Sequence, residues 1–167
     1  ACPRGGASER QKMIRYIDTH CHPFFESYSG DRDAVLDRAV ADGAEALVVV
    51  GIDASTNRQV FEMAARRKEC FAVLGMHPHS AHLAEADFET PIAQMAAASS
   101  KVVAVGEVGL DYFKSEASRD VQARVFDRAI DLAGKLSLPV VVHSRDAFDD
   151  TLLHLAAGRK RHPNLRA

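Results

Sequence analysis

Cysteine is scarce in this sequence, standing only at positions 2, 21 and 70. The set is odd in number, contains no CxxC pair and suggests no disulfide framework, which fits a reducing compartment. An excess of charge of either sign is also missing. The chain carries 21 Lys and Arg against 23 Asp and Glu, a net charge of −2, so no bulk field draws nucleic acid or an acidic membrane to its surface. Any phosphate site must therefore be local. No apolar run approaches the roughly 20 residues of a membrane span, and residues 1–12 lack the apolar stretch of a signal peptide. These absences lead to the expectation of a soluble, cytoplasmic protein without membrane contact. They leave the oligomeric state open.

What is present is globular in composition, with 47 % apolar and 26 % charged residues, in a length suited to one domain. Residues 1–12 mix Gly, Pro and charge without periodicity and read as a flexible lead-in, with Met13 just before the first ordered element. Over residues 13–167 one pattern recurs: a short apolar run, a polar loop, then a stretch of helical period. The runs cover residues 14–19, 46–50, 71–74, 102–105 and 140–142, and the helical stretches 33–42, 55–69, 88–98, 118–136 and 147–157. In the fourth stretch, Val121, Val125, Ala129, Leu132, Ala133 and Leu136 fall three or four apart and make one apolar stripe. Leu47 to Val50 and Val140 to Val142 show no polar alternation, which means burial on both faces, as in a parallel sheet covered by helices. The reading is five βα units in series.

Functional groups on such sheets gather at the carboxyl ends of the strands. Asp18-Thr-His-Cys-His22 follows the first run, Gly75-Met-His-Pro-His79 the third, Gly106-Glu-Val-Gly-Leu-Asp-Tyr112 the fourth and His143-Ser-Arg-Asp-Ala147 the fifth. In an extended strand His20 and His22 point to one side while Cys21 points to the other. Two imidazoles on one side can chelate a cation. With Glu107 and His143, the set suits zinc, manganese or a similar divalent ion. Glu107 ends a buried apolar run, where an unpaired carboxylate is costly and a cation would offset the cost. Asp18 can support a ligand histidine or serve a turn. His77 and His79 can touch a phosphate or stand in an exposed turn. Asp111 and Tyr112 can line a nucleotide pocket or order the following loop. Arg145 offers a bidentate fork to phosphate, and Asp146 is placed to cap the fifth helix. The basic runs 66–68 and 159–161 read as solvated helix ends.

Geometry adds a constraint. In a flat sheet, strands one and five lie roughly 19 Å apart, too far for His20 and His143 to share a metal site. They meet only if the sheet curls as in an eight-stranded barrel, for which 167 residues fall short of the roughly 250 that are typical.

At these residues the sequence resembles the TatD family of metal-dependent hydrolases, best known as deoxyribonucleases. The four motifs occur in family order, together with the block from Gln122 to Ala147, and the resemblance covers Ile14 to about Ala157. It implies an α/β fold, a TIM-type barrel of which about five βα units are present here. It also implies two divalent metal ions (Mg, Mn or Zn), with His20 and His22 on the first, Glu107 bridging both and His143 on the second. The family completes the site with a His after a sixth strand and an Asp after an eighth, and neither motif occurs in this sequence. The implied reaction is two-metal hydrolysis of a phosphodiester, with DNA as substrate and 3′-exonuclease-like action. The alternatives are a related barrel hydrolase acting on small molecules and an inactive truncated fragment with open sheet edges.

Overall fold

The computed structural model describes residues 14–84 and 87–167. The expected lead-in, residues 1–12, lies outside the described residues. Among the described residues, five strands and five helices alternate: β1 (Tyr16–Cys21), α1 (Arg32–Ala41), β2 (Ala44–Val50), α2 (Ala54–Arg66), β3 (Cys70–Leu74), α3 (Glu89–Ala98), β4 (Val102–Asp111), α4 (Arg119–Leu136), β5 (Val140–Arg145) and α5 (Phe148–Arg161). Short 3-10 turns cover Glu26–Tyr28 and Pro78–Leu83. All four strand pairings are parallel and consecutive, giving one sheet in the order β1-β2-β3-β4-β5. The sheet curls into the arc of a barrel, and side chains from β1 and β5 reach the same carboxylate on β4.

Apolar side chains line both faces of the sheet. One large cluster between strands and helices includes Val49, Ala72, Leu74, Phe126 and Ile130, while a smaller one on the other face gathers Val50, Val73 and Ala104. Neighbouring strand residues thus fall into different clusters, as the pleat requires. The stripe on α4 is broader than its period suggested: Gln122, Phe126 and Ile130 are buried beside Val125 and Ala129. Caps fix the helix starts. Asp53 accepts from the Thr56 N–H at 2.8 Å and Thr56 Oγ1 accepts from the Asp53 N–H at 2.9 Å, a reciprocal capping box on α2.

Two local expectations fail. Asp146 does not cap α5, whose N-cap residue is Ala147 with no side-chain bond; Asp146 instead takes a left-handed turn with φ of 53°. Arg67 is not a solvated helix end. Its guanidinium bonds Glu69 at 2.7 Å and Asp37 at 2.5 Å, with Asp33 at 3.4 Å, tying α1 to the start of β3. Spacing along one helix could not show carboxylates arriving from another. Arg67→Met is expected to lower stability by about 1–2 kcal/mol in urea unfolding, mostly through the Glu69 pair, because the exposed aspartates are screened. Burial alone raises the Glu69 carboxyl, but its own backbone N–H and Arg67 outweigh this and hold it below its ordinary value. A carboxyl held low stabilises the fold above its unfolded value and ceases to as pH falls through the folded one. The advantage of wild type over Arg67→Met should therefore shrink below about pH 4.

Candidate metal centre

Apolar periodicity ends β4 at Val105, yet the strand continues to Asp111. The continuation depends on glycine. A Cβ on Gly106 would sit 2.6 Å from the Val141 carbonyl oxygen, and one on Gly109, where φ is +143°, would sit 2.0 Å from that of His143. Without side chains at these two positions β4 lies close against β5. The pairing shifts register between Val105 and Val108, and Glu107 stands inside the strand within this irregular stretch. Its N–H donates to the Gly51 carbonyl at 3.2 Å.

The Glu107 carboxylate is the hub. Oε2 lies 3.3 Å from His20 Nε2 and 3.7 Å from His22 Nε2. Oε1 lies 3.3 Å from His143 Nδ1 and 4.0 Å from His77 Nε2. Each oxygen therefore faces its own pair of imidazoles, and His20, His22, Glu107 on one side and His77, Glu107, His143 on the other each form a compact group able to hold a cation. Burial raises the Glu107 carboxyl, but the His143 hydrogen bond and the nearby His77 and His20 outweigh it, and the group is held low and anionic. His77 is pushed down to about 4, first by burial and then by His143, so it is neutral at pH 7.

Hydrogen bonds assign the tautomers of His22 and His77. His22 Nδ1 lies 2.7 Å from the Val50 carbonyl and must carry the proton, leaving the Nε2 lone pair turned to Glu107 and to His20 Nε2, 3.1 Å away. This is the arrangement of a metal-ligating histidine anchored by a carbonyl. His143 lies between two carboxylates, Nε2 3.1 Å from Asp111 Oδ2 and Nδ1 3.3 Å from Glu107 Oε1; the Glu107 hydrogen bond first, and that of Asp111, outweigh burial and raise its pKa, so each nitrogen can carry a proton. His77 differs. Its Nδ1 accepts the His79 N–H at 3.1 Å, so the neutral ring carries its proton on Nε2, the atom aimed at the centre. Despite its place in the second group, His77 is built there as a donor.

Two buried amides hold the strand ends that carry these groups. Gln122 of α4 accepts from the Asp111 N–H at 2.7 Å, donates to the Asp111 carbonyl at 3.1 Å and donates to that of Ala117 at 2.8 Å. Asn57 of α2 treats Gly75 likewise, accepting from its N–H at 3.1 Å and donating to its carbonyl at 2.9 Å. Neither residue stood out in the sequence. The only available signal was a polar residue on an otherwise apolar helix face. Gln122→Leu leaves three buried backbone groups unpaired and is expected to cost about 2–4 kcal/mol, read as a lowered urea midpoint.

The remaining candidates are placed as follows. Asp111 is fully buried and accepts from His79 Nε2 at 2.7 Å, His143 at 3.1 Å, and the Phe113 and Lys114 N–H groups at 3.0 and 2.8 Å. Burial raises this carboxyl, but the Lys114 N–H, His79, the Phe113 N–H and His143 outweigh it and hold it far below the usual range. Tyr112 donates to Asp150 Oδ2 at 2.7 Å. Arg145 stacks on the ring of Phe113 at 4.0 Å. Asp18 accepts the His20 N–H at 3.0 Å, a local contact within β1. Cys21 turns away and donates to the Val48 carbonyl at 3.5 Å, its thiol pushed up to about 12 by burial and then by Asp18.

A curled parallel sheet with a histidine-ringed carboxylate at its mouth is the arc of a barrel that presents a candidate metal centre. Comparison with known proteins makes this specific: the profile of TatD-related DNases matches residues 17–165, and the chain belongs to that family. It is 39 % identical over 137 residues to YabD of Bacillus subtilis, an uncharacterized metal-dependent hydrolase, covering 81 % of this chain and 53 % of that protein. It is 33 % identical over 122 residues to the 3′-5′ ssDNA/RNA exonuclease TatD of Escherichia fergusonii, covering 73 % of this chain and 46 % of that one. The crystal structure of YjjV, a TatD homologue of Escherichia coli, superposes with a TM-score of 0.81 at 34 % identity, covering 90 % of this chain and 58 % of its own. The chain spans about half the length of the curated relatives it matches. No helix among the described residues is long and apolar enough to cross a membrane.

Proposed function

We propose that this chain carries the metal-binding part of a divalent-metal-dependent phosphodiesterase that acts on DNA, removing nucleotides from a 3′ end. The observation that carries the reading is the division of Glu107, one oxygen toward His20 and His22 and the other toward His143. The donor set fits two divalent cations, His20, His22 and Glu107 holding one and Glu107 and His143 the other, since imidazole with carboxylate suits zinc or manganese and tolerates magnesium. When bound, such ions acidify a water and neutralise charge on a phosphoryl group. The local cations also explain how a chain of net charge −2 can attract phosphate.

The protein's own groups have separable tasks. His22 is locked by Val50, so its lone pair needs no reorientation on binding. Asp111 is a positioning residue: it holds His143 with Nδ1 facing Glu107 and, being buried, makes no direct substrate contact. His77 offers Nε2–H to a phosphoryl oxygen, neutral and therefore still a donor rather than a competing cation. His79, tied to Asp111, fixes the His77 ring through its backbone N–H.

The test is metal content together with cleavage of 3′-ended DNA by the full-length protein, with and without EDTA, in wild type, His20→Ala and Glu107→Ala. Cleavage that needs the metal and fails in both variants is expected. Undiminished cleavage in the variants would refute the site, and turnover of lactones or phosphotriesters instead of DNA would replace the substrate.

A further inference from the structure

At the mouth of the centre stands an exposed pair that the metal site does not use. Phe113, two residues past β4, is 64 % exposed, and the Arg145 guanidinium at the end of β5 lies over its ring at 4.0 Å. Arg38, Arg67, Arg128 and Arg161 each meet a carboxylate. Among the described residues, the Arg145 guanidinium has neither a carboxylate nor a hydrogen-bond partner. An exposed phenylalanine gains little by burial where it stands. A guanidinium stacked on one face leaves the other face of the ring open and its in-plane N–H donors directed outward.

Position ties the pair to the centre. Arg145 follows His143 by two residues on β5, so its side chain leaves the strand on the same side, about 6.6 Å further along. The Tyr112 N–H donates to the Arg145 carbonyl at 2.9 Å, and the Phe113 and Lys114 N–H groups donate to buried Asp111, at 3.0 and 2.8 Å, so the backbone presenting the ring is fixed. The same carboxylate thus holds His143 and anchors Phe113.

Resting on the phosphodiesterase reading above, we propose that Phe113 and Arg145 grip one unpaired nucleotide of the substrate strand. A base stacks on the open face of Phe113, and the Arg145 fork takes the phosphate beside it. Bases within a duplex are already stacked on both faces, so the grip favours a single strand or a frayed end. Because stacking is blind to base identity, it gives single-strand preference without sequence preference.

The test is equilibrium binding of a fluorescent single-stranded oligonucleotide and of an abasic strand of equal length, measured in EDTA so that nothing is cleaved. Wild type is expected to prefer the base-bearing strand by roughly tenfold or more, the fold-change that one stacked base provides. Phe113→Ala should erase that preference, Phe113→Tyr should keep it, and Arg145→Ala should weaken both strands. A Phe113→Ala protein that keeps the preference, a Phe113→Ala protein weakened equally on both strands, or a wild type with no preference overturns the grip. A wild type that shows the preference yet cleaves no phosphodiester when manganese is supplied overturns the hydrolase reading and leaves the grip standing.

Discussion

Glu107→Gln is expected to cost more metal affinity than any other single substitution in the chain. The amide keeps the shape and removes the charge, so both candidate cation groups lose the carboxylate they share at once. Removing a mere outer hydrogen-bond partner of a ligand costs about 10–100-fold in metal affinity or activity. Loss of the shared carboxylate should exceed that, with manganese titration showing no tight site and hydrolysis at background. Circular dichroism should be unchanged, since Glu107 contributes its charge to the centre and only its backbone to the sheet. Asp111→Asn should give a smaller loss, within the 10–100-fold range, because it frees the His143 ring without removing a ligand.

Gly109→Ala is expected to cause the largest loss of stability. The residue sits at φ +143°, where an L side chain is strained, and its new Cβ would meet the His143 carbonyl oxygen at 2.0 Å. Strain of this kind costs about 1–3 kcal/mol and forced overpacking a similar amount, so about 3 kcal/mol or more is expected in urea unfolding. The neighbouring backbone of β5 cannot yield without moving His143. A Gly109→Ala chain as stable as wild type would mean that β4 and β5 do not approach so closely.

The five βα units were legible because buried parallel strands leave unbroken apolar runs and their helices leave a 3.6-residue period, both local signals. The boundaries of β4 were not, since the glycines and polar residues that extend it to Asp111 read as a loop when only apolar content is counted. The candidate residues His20, His22, Glu107 and His143 could be singled out because a strand end concentrates what it carries, and the structure brings them together. Their division between the two oxygens of Glu107 could not, because it depends on curvature and on ring orientation. The roles of Gln122 and Asn57 lay beyond reach, for a buried amide pairing with the backbone of a distant strand leaves no periodic trace. Arg67 shows the same limit at the opposite end of the strands, where its partners come from a different helix.

The most direct measurement is anomalous diffraction from crystals grown with manganese. Two ion peaks are expected, one about 2.0–2.2 Å from Glu107 Oε2 beside His20 and His22, the other at a similar distance from Oε1 beside His143. A single peak touching one oxygen only, or ions bound away from Glu107 altogether, would contradict the two-ion centre.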